Sequence, residues 1–223
     1  VVIGITLGVI AQKINSSKSN HVLIWSSIIF LNLGSVMLEG AFFAPDQVQI
    51  PIPVLGLQQL LVSILTGLAI ASLFASPKQP ICDGAYSITR SWHDWALRFF
   101  GSAISYLVFY FVFGSINYSL ITRPYYETHA GGLAVPDPMV VFIVELIRAP
   151  LIILSVIPFL RYFKVDRKTT VINTGLILFI VGGVAPLLFQ ISTLPVPLLL
   201  ASAIEIFLQN FLTGGAAALL LGN

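Results

Sequence analysis

The stretch Met139 to Lys164, MVVFIVELIRAPLIILSVIPFLRYFK, constrains this chain more than any other. It holds about twenty apolar residues, enough to cross a bilayer as a helix at ~1.5 Å per residue. Two charges, Glu145 and Arg148, nevertheless stand inside the run. A charge at that depth costs roughly 2.5–3.5 kcal/mol on insertion scales, so something must compensate it. The i, i+3 spacing puts acid and base on one helix face, with the acid N-terminal to the base. Pro150 lacks an N–H and leaves the Leu146 carbonyl without its helical donor, a further acceptor close to both charges.

The rest of the chain reads the same way. Of 223 residues, 57% are hydrophobic and 9% charged, against about 25% charged in a soluble domain. Too little polar surface is available to face water all round. The expected class is an all-α polytopic membrane bundle of about seven transmembrane spans, with residues 1–223 forming a single transmembrane domain. The spans are expected at approximately 1–11, 21–44, 51–75, 96–120, 139–161, 170–190 and 197–221. Residue 1 is Val and apolar sequence begins at once, so the first span is expected to be truncated. Ser91, with Asp94 three residues on, is a capping signature for the start of the fourth helix.

Lysine and arginine distribution sets an expected orientation. The loops after spans 1, 3 and 5 hold nine such residues: Lys13, Lys18, Lys78, Arg90, Arg98, Arg161, Lys164, Arg167 and Lys168. The loops after spans 2, 4 and 6 hold only Arg123. The first set is expected in the cytoplasm, together with the C-terminus, and the protein in the cell (plasma or inner) membrane. Trp25, Trp92, Trp95 and Tyr162 fall near the same expected interface, where amphipathic rings are favoured. Three Pro-x-Pro pairs, at 51–53, 136–138 and 195–197, each precede an inward-running helix, and three unevenly spaced hairpins can be read from them.

Depth can then be compared between helices. Glu39 lies near the outer end of its span, and Glu145, Arg148 and Glu205 lie within the outer half of theirs. Gln209 is one turn from Glu205 on the same face. Ionisable residues in membranes usually face the bundle interior and pair there. The reading is one polar cluster of Glu39, Glu145, Arg148, Glu205 and Gln209, to which Asn32 can add an amide. Three acids against one base leave two negative charges if all ionise. A protonated acid or a bound cation is the expected remedy, with Arg148 contested between Glu145 and Glu205. Tyr125, Tyr126, Glu127 and His129 in the second outer loop are candidate gating residues for this cluster.

Other chemistries find no support. No nucleophile elbow, HExxH or phosphate loop is present. His21 and His129 have no partner at metal-ligand spacing, and the lone Cys82 excludes an intrachain disulfide. No metal or cofactor is implied, and no basic run suggests nucleic acid. The expected partners are the lipid bilayer and a small cation or cationic solute. The leading reading is a small transporter or permease-like protein whose acidic cluster binds a proton, a cation or a cationic solute. An intramembrane enzyme acting on a lipid-soluble substrate, and a non-catalytic membrane subunit whose polar groups serve helix packing, stay open beside it.

The orientation is testable in a background lacking Cys82. Single cysteines at Ser17, Lys78 or Lys168 are expected to be shielded from an impermeant thiol reagent outside intact cells, and those at Gln47 or Thr128 to react. Labelling of the first group would reverse the topology.

Overall fold

In hydrocarbon no water is present to satisfy backbone N–H and C=O groups, so a spanning segment must satisfy them within itself. The computed structural model, which describes residues 2–43, 50–75, 90–163 and 165–222, is helical accordingly, and no strand occurs among those residues. The helices are α1 (Val2–Gln12), α2 (Lys18–Phe43), α3 (Ile52–Phe74), α4 (Trp92–Asn117), α5 (Pro138–Tyr162), α6 (Arg167–Phe179) and α7 (Val196–Leu221). Two of them run on through π turns. α4 continues through Tyr118–Thr122 into Arg123–Glu127, and α6 through Ile180–Val184 into Ala185–Gln190.

Among the described residues, six helices are long and apolar enough to cross a membrane. This corrects the expectation of about seven. α1 has 11 residues, which span ~16 Å, about half of a hydrocarbon core. The other boundaries agree with the sequence reading to within a few residues, apart from α4, which starts earlier and runs on past Leu120 to Glu127. Lys78, Cys82, Lys164 and the expected turn at 45–49 lie outside the described residues.

Helix starts follow local chemistry. The Ser91 hydroxyl accepts from the Asp94 amide, as the capping signature predicts. Asp137 accepts from the Met139 amide, with Pro138 in the first turn. Asp166 accepts from the Thr169 amide at 2.9 Å. Hydrogen bonds from the Thr169 side chain and amide hold the exposed Asp166 carboxyl below its ordinary range. That cap therefore persists through neutral pH and weakens as pH falls into the carboxyl's own titration. α5 stays helical through both Pro150 and Pro158.

The helices pack as a ring. α2 contacts α5, α5 contacts α4, α4 contacts α7, α7 contacts α6, and the π turn of α6 returns to α2. α3 lies outside this ring on α2, with α1 against it. The three Pro-x-Pro helices are therefore not equivalent, since α5 and α7 are ring members and α3 is not. Leu57, Leu61, Leu65 and Leu73 of α3 are exposed apolar side chains, suited to lipid. The buried core includes Ile10, Ile14, Trp25, Phe159, Phe163, Ala217 and Leu221, and fills the end of the ring that carries the basic residues. Trp25 is fully buried, so it is a core residue and not the interfacial anchor expected from sequence. At this same end Arg98 donates to the Leu220 carbonyl, and Arg90 to those of Leu221 and Gly222. Two cations thus satisfy the last carbonyls of α7.

α6 and α7 meet backbone to backbone at two glycines. A Cβ added at Gly214 would lie 2.7 Å from the Gly175 backbone, the small-residue contact usual between membrane helices. Gly214→Val is expected to lose ~1–3 kcal/mol of stability by overpacking. At the neighbouring Gly215 a Cβ would meet Val171 at an ordinary 3.5 Å, so Gly215→Ala should be tolerated. Thermal unfolding of both variants in nanodiscs checks this, and equal losses would contradict the packing.

Candidate functional site

The site starts from the compensation that Arg148 requires. Its Nη1 lies 2.6 Å from Glu145 Oε1 on its own helix and 2.7 Å from Glu39 Oε2 on α2. α4 supplies the next layer of partners. The Tyr106 hydroxyl donates to Glu145 Oε2 at 2.6 Å, and the Tyr110 hydroxyl donates to Glu39 Oε1 at 3.1 Å. The guanidinium also lies over the Tyr110 ring, 5.9 Å from its centroid, a cation–π contact. Glu145 is completely buried and Arg148 nearly so, whereas the Glu39 side chain is 25% exposed. One cation thus joins α2, α5 and, through two tyrosines, α4. An ion taken out of water costs several kcal/mol even after relaxation, and two carboxylates on Nη1 offset much of that cost here, although the buried Nε has no hydrogen-bond partner among the described residues.

Glu205 is placed differently. Its carboxylate accepts from the Asn117 side-chain amide on α4 in a short hydrogen bond. Gly114, one turn before Asn117, leaves room for it: a Cβ there would stand 3.3 Å from Glu205 Oε1. No ion pair to Glu205 occurs among the described residues, and Arg148 pairs with Glu39 and Glu145. This corrects the expectation that Glu145 and Glu205 compete for the guanidinium. Gln209 does not serve Glu205 either, since its amide donates to the Tyr110 carbonyl at 3.3 Å.

A cavity of about 180 Å³ brings these groups together. Its wall includes Glu39, Arg148, Glu205 and Gln209 of the expected cluster, while Glu145 stands behind Arg148 and does not line it. Asn32 also lines it. The Asn32 amide donates to the Ser155 hydroxyl at 2.7 Å and to the Ile28 carbonyl at 2.9 Å. Its oxygen faces the π turn of α6, 3.1 Å from where a Gly182 Cβ would stand. A side chain there would crowd that oxygen, and π turns within α-helices occur often at functional sites. Pro186, Leu187 and Gln190, just beyond the turn, close the same wall.

Of the four candidate gating residues, Tyr126 reaches the cavity. Its ring meets Phe43 edge-on at 6.5 Å and Tyr118 at 5.8 Å. Tyr125 packs against the small apolar cluster of Leu133 and Leu198. Glu127 forms an exposed ion pair with Arg123 at 2.7 Å. His129 adopts a left-handed backbone conformation, φ 52°, and its Nδ1 is 3.0 Å from the Leu133 carbonyl. This loop is tied to the end of α2 by the Ala134 amide, which donates to the Phe43 carbonyl at 2.8 Å.

The sequence reading of the cluster did not include Asn117, Tyr106 or Tyr110. The i, i+4 spacing of the two tyrosines was the available signal, because a tyrosine hydroxyl inside a membrane needs a partner. Among the described residues, no group of three His, Cys, Asp or Glu side chains is placed to hold a metal ion. No protein-family model, no curated protein and no solved structure matches this chain.

The pairing makes an ordered prediction. Arg148→Ala strands a fully buried carboxylate and should cost ~3–5 kcal/mol. Glu145→Gln leaves Arg148 its Glu39 partner and keeps an oxygen for Tyr106, so it should cost clearly less. Folded yield by size exclusion and thermal unfolding compare the two. A larger loss in Glu145→Gln would contradict the shared guanidinium.

Proposed function

We propose that this multi-pass membrane protein is a small transporter or permease-like protein, and that its cavity binds a proton, a cation or a cationic solute at Glu205. The observation that carries this reading is the division among the acids. Glu39 and Glu145 share the guanidinium of Arg148, while Glu205 lines the same cavity with an amide as its partner. With all groups ionised the cluster is negative by two charges, which attracts a cation and repels an anion. Intramembrane ionisable groups that face a cavity are the usual marks of ion and solute pathways.

The remaining parts take roles around that site. The end rich in Lys and Arg faces the cytoplasm by the positive-inside rule, with the C-terminus. The cavity then lies toward the outer face. Tyr126 and the segment beyond the π turn of α6, which line it, are its gating elements in this reading.

Glu205→Gln should keep the fold, because the amide has the same shape and removes a charge that hydrocarbon disfavours. It should abolish cation- or proton-dependent flux in proteoliposomes made with the full chain. Wild-type flux in Glu205→Gln, at equal folded yield, would overturn the assignment.

A further inference from the structure

Resting on the cation-site reading above, we infer that the occupant of the cavity is a small primary ammonium compound with an apolar or aromatic body. Size is the first argument. The cavity measures about 180 Å³. An apolar protein cavity of ~150 Å³ holds a benzene molecule, and one water takes ~30 Å³. The space is therefore larger than a bare ion needs and suits a molecule about the size of a substituted benzene ring.

The wall is the second argument. Glu205 supplies an anion, while Phe43, Tyr126, Leu187, Leu198 and Ile206 supply an apolar surface. The wall also carries Asn32, Ser35, Ser202 and Asn210, but a bare alkaline-earth ion would gain nothing from its apolar half and demands about six converging oxygens for Mg²⁺ and six to eight for Ca²⁺. An ammonium carries its charge at one end, and its three N–H donors match a carboxylate. The tyrosine and phenylalanine rings add faces that attract an organic cation.

Arg148 is the third argument. A free guanidinium in the wall would repel an amine. Here its charge lies between two carboxylates within 2.7 Å, so the wall it presents is net negative. One oxygen of Glu205 already accepts from Asn117, which orients the carboxylate and leaves lone pairs for a donor from the cavity. A quaternary ammonium has no N–H to give them.

Calorimetry on the full chain in nanodiscs at pH 7 tests this with benzylammonium, benzyl alcohol and sodium at matched ionic strength. Benzylammonium should bind saturably. Benzyl alcohol should bind about tenfold more weakly or worse, and Glu205→Gln and Tyr126→Ala should each lower benzylammonium affinity by about tenfold or more. Equal binding of benzyl alcohol, or benzylammonium affinity unchanged in folded Glu205→Gln, would overturn the inference. Binding of sodium or protons through Glu205, without benzylammonium, would overturn it and leave the cation site standing. If neither these three compounds nor protons bind in a Glu205-dependent way, the cation site fails as well.

Discussion

One guanidinium between two carboxylates organises this membrane protein. Arg148 on α5 sits within 2.7 Å of Glu145 on its own helix and of Glu39 on α2. Neither acid and neither helix position is favourable in hydrocarbon without it. The hydroxyls of Tyr106 and Tyr110 take the remaining carboxylate oxygens and bring α4 to the same point. Between membrane helices no hydrophobic force acts, because lipid is as apolar as the side chains, so packing and polar contacts set the arrangement. Here the strongest such contact joins three of the five ring helices.

The two ends of the ring differ for a related reason. The end carrying the basic residues is closed by Trp25, Phe159, Phe163 and the small-residue face of α7, and its arginines cap the last carbonyls of that helix. The other end cannot close in this way. Gly114, Gly182 and the π turn keep side-chain volume low just where Glu205 and Asn32 face inward. What remains is a half-polar cavity whose one unpaired acid, among the described residues, is Glu205. The paired acids and the acid facing the cavity without a cation are thus different members of one cluster.

Much of this was legible in the sequence. Apolar run length matched six long apolar helices closely, since a run of ~20 apolar residues in lipid satisfies its backbone as a helix. Comparing depths along those helices brought Glu39, Arg148, Glu205 and Gln209 to one cavity, because polar groups at one depth have only one another to meet. Rotation about the helix axes was not legible. It decides that Arg148 takes Glu39 and not Glu205, that Gln209 turns to the Tyr110 carbonyl, and that Trp25 points into the core. Those outcomes depend on which faces neighbouring helices present. The π turns were hidden too, because Gly182 and Gly183 fit an ordinary membrane helix equally well.

A double-mutant cycle tests the central claim most directly. Stability of the full chain in lipid would be measured for Arg148→Gln, Glu39→Gln and Glu205→Gln, singly and in the pairs 148/39 and 148/205. The account predicts a coupling of about 1 kcal/mol or more between Arg148 and Glu39, and little between Arg148 and Glu205. A coupling to Glu205 as large as that to Glu39 would contradict it, because Glu205 would then be one more partner of the guanidinium and not the acid left for a ligand.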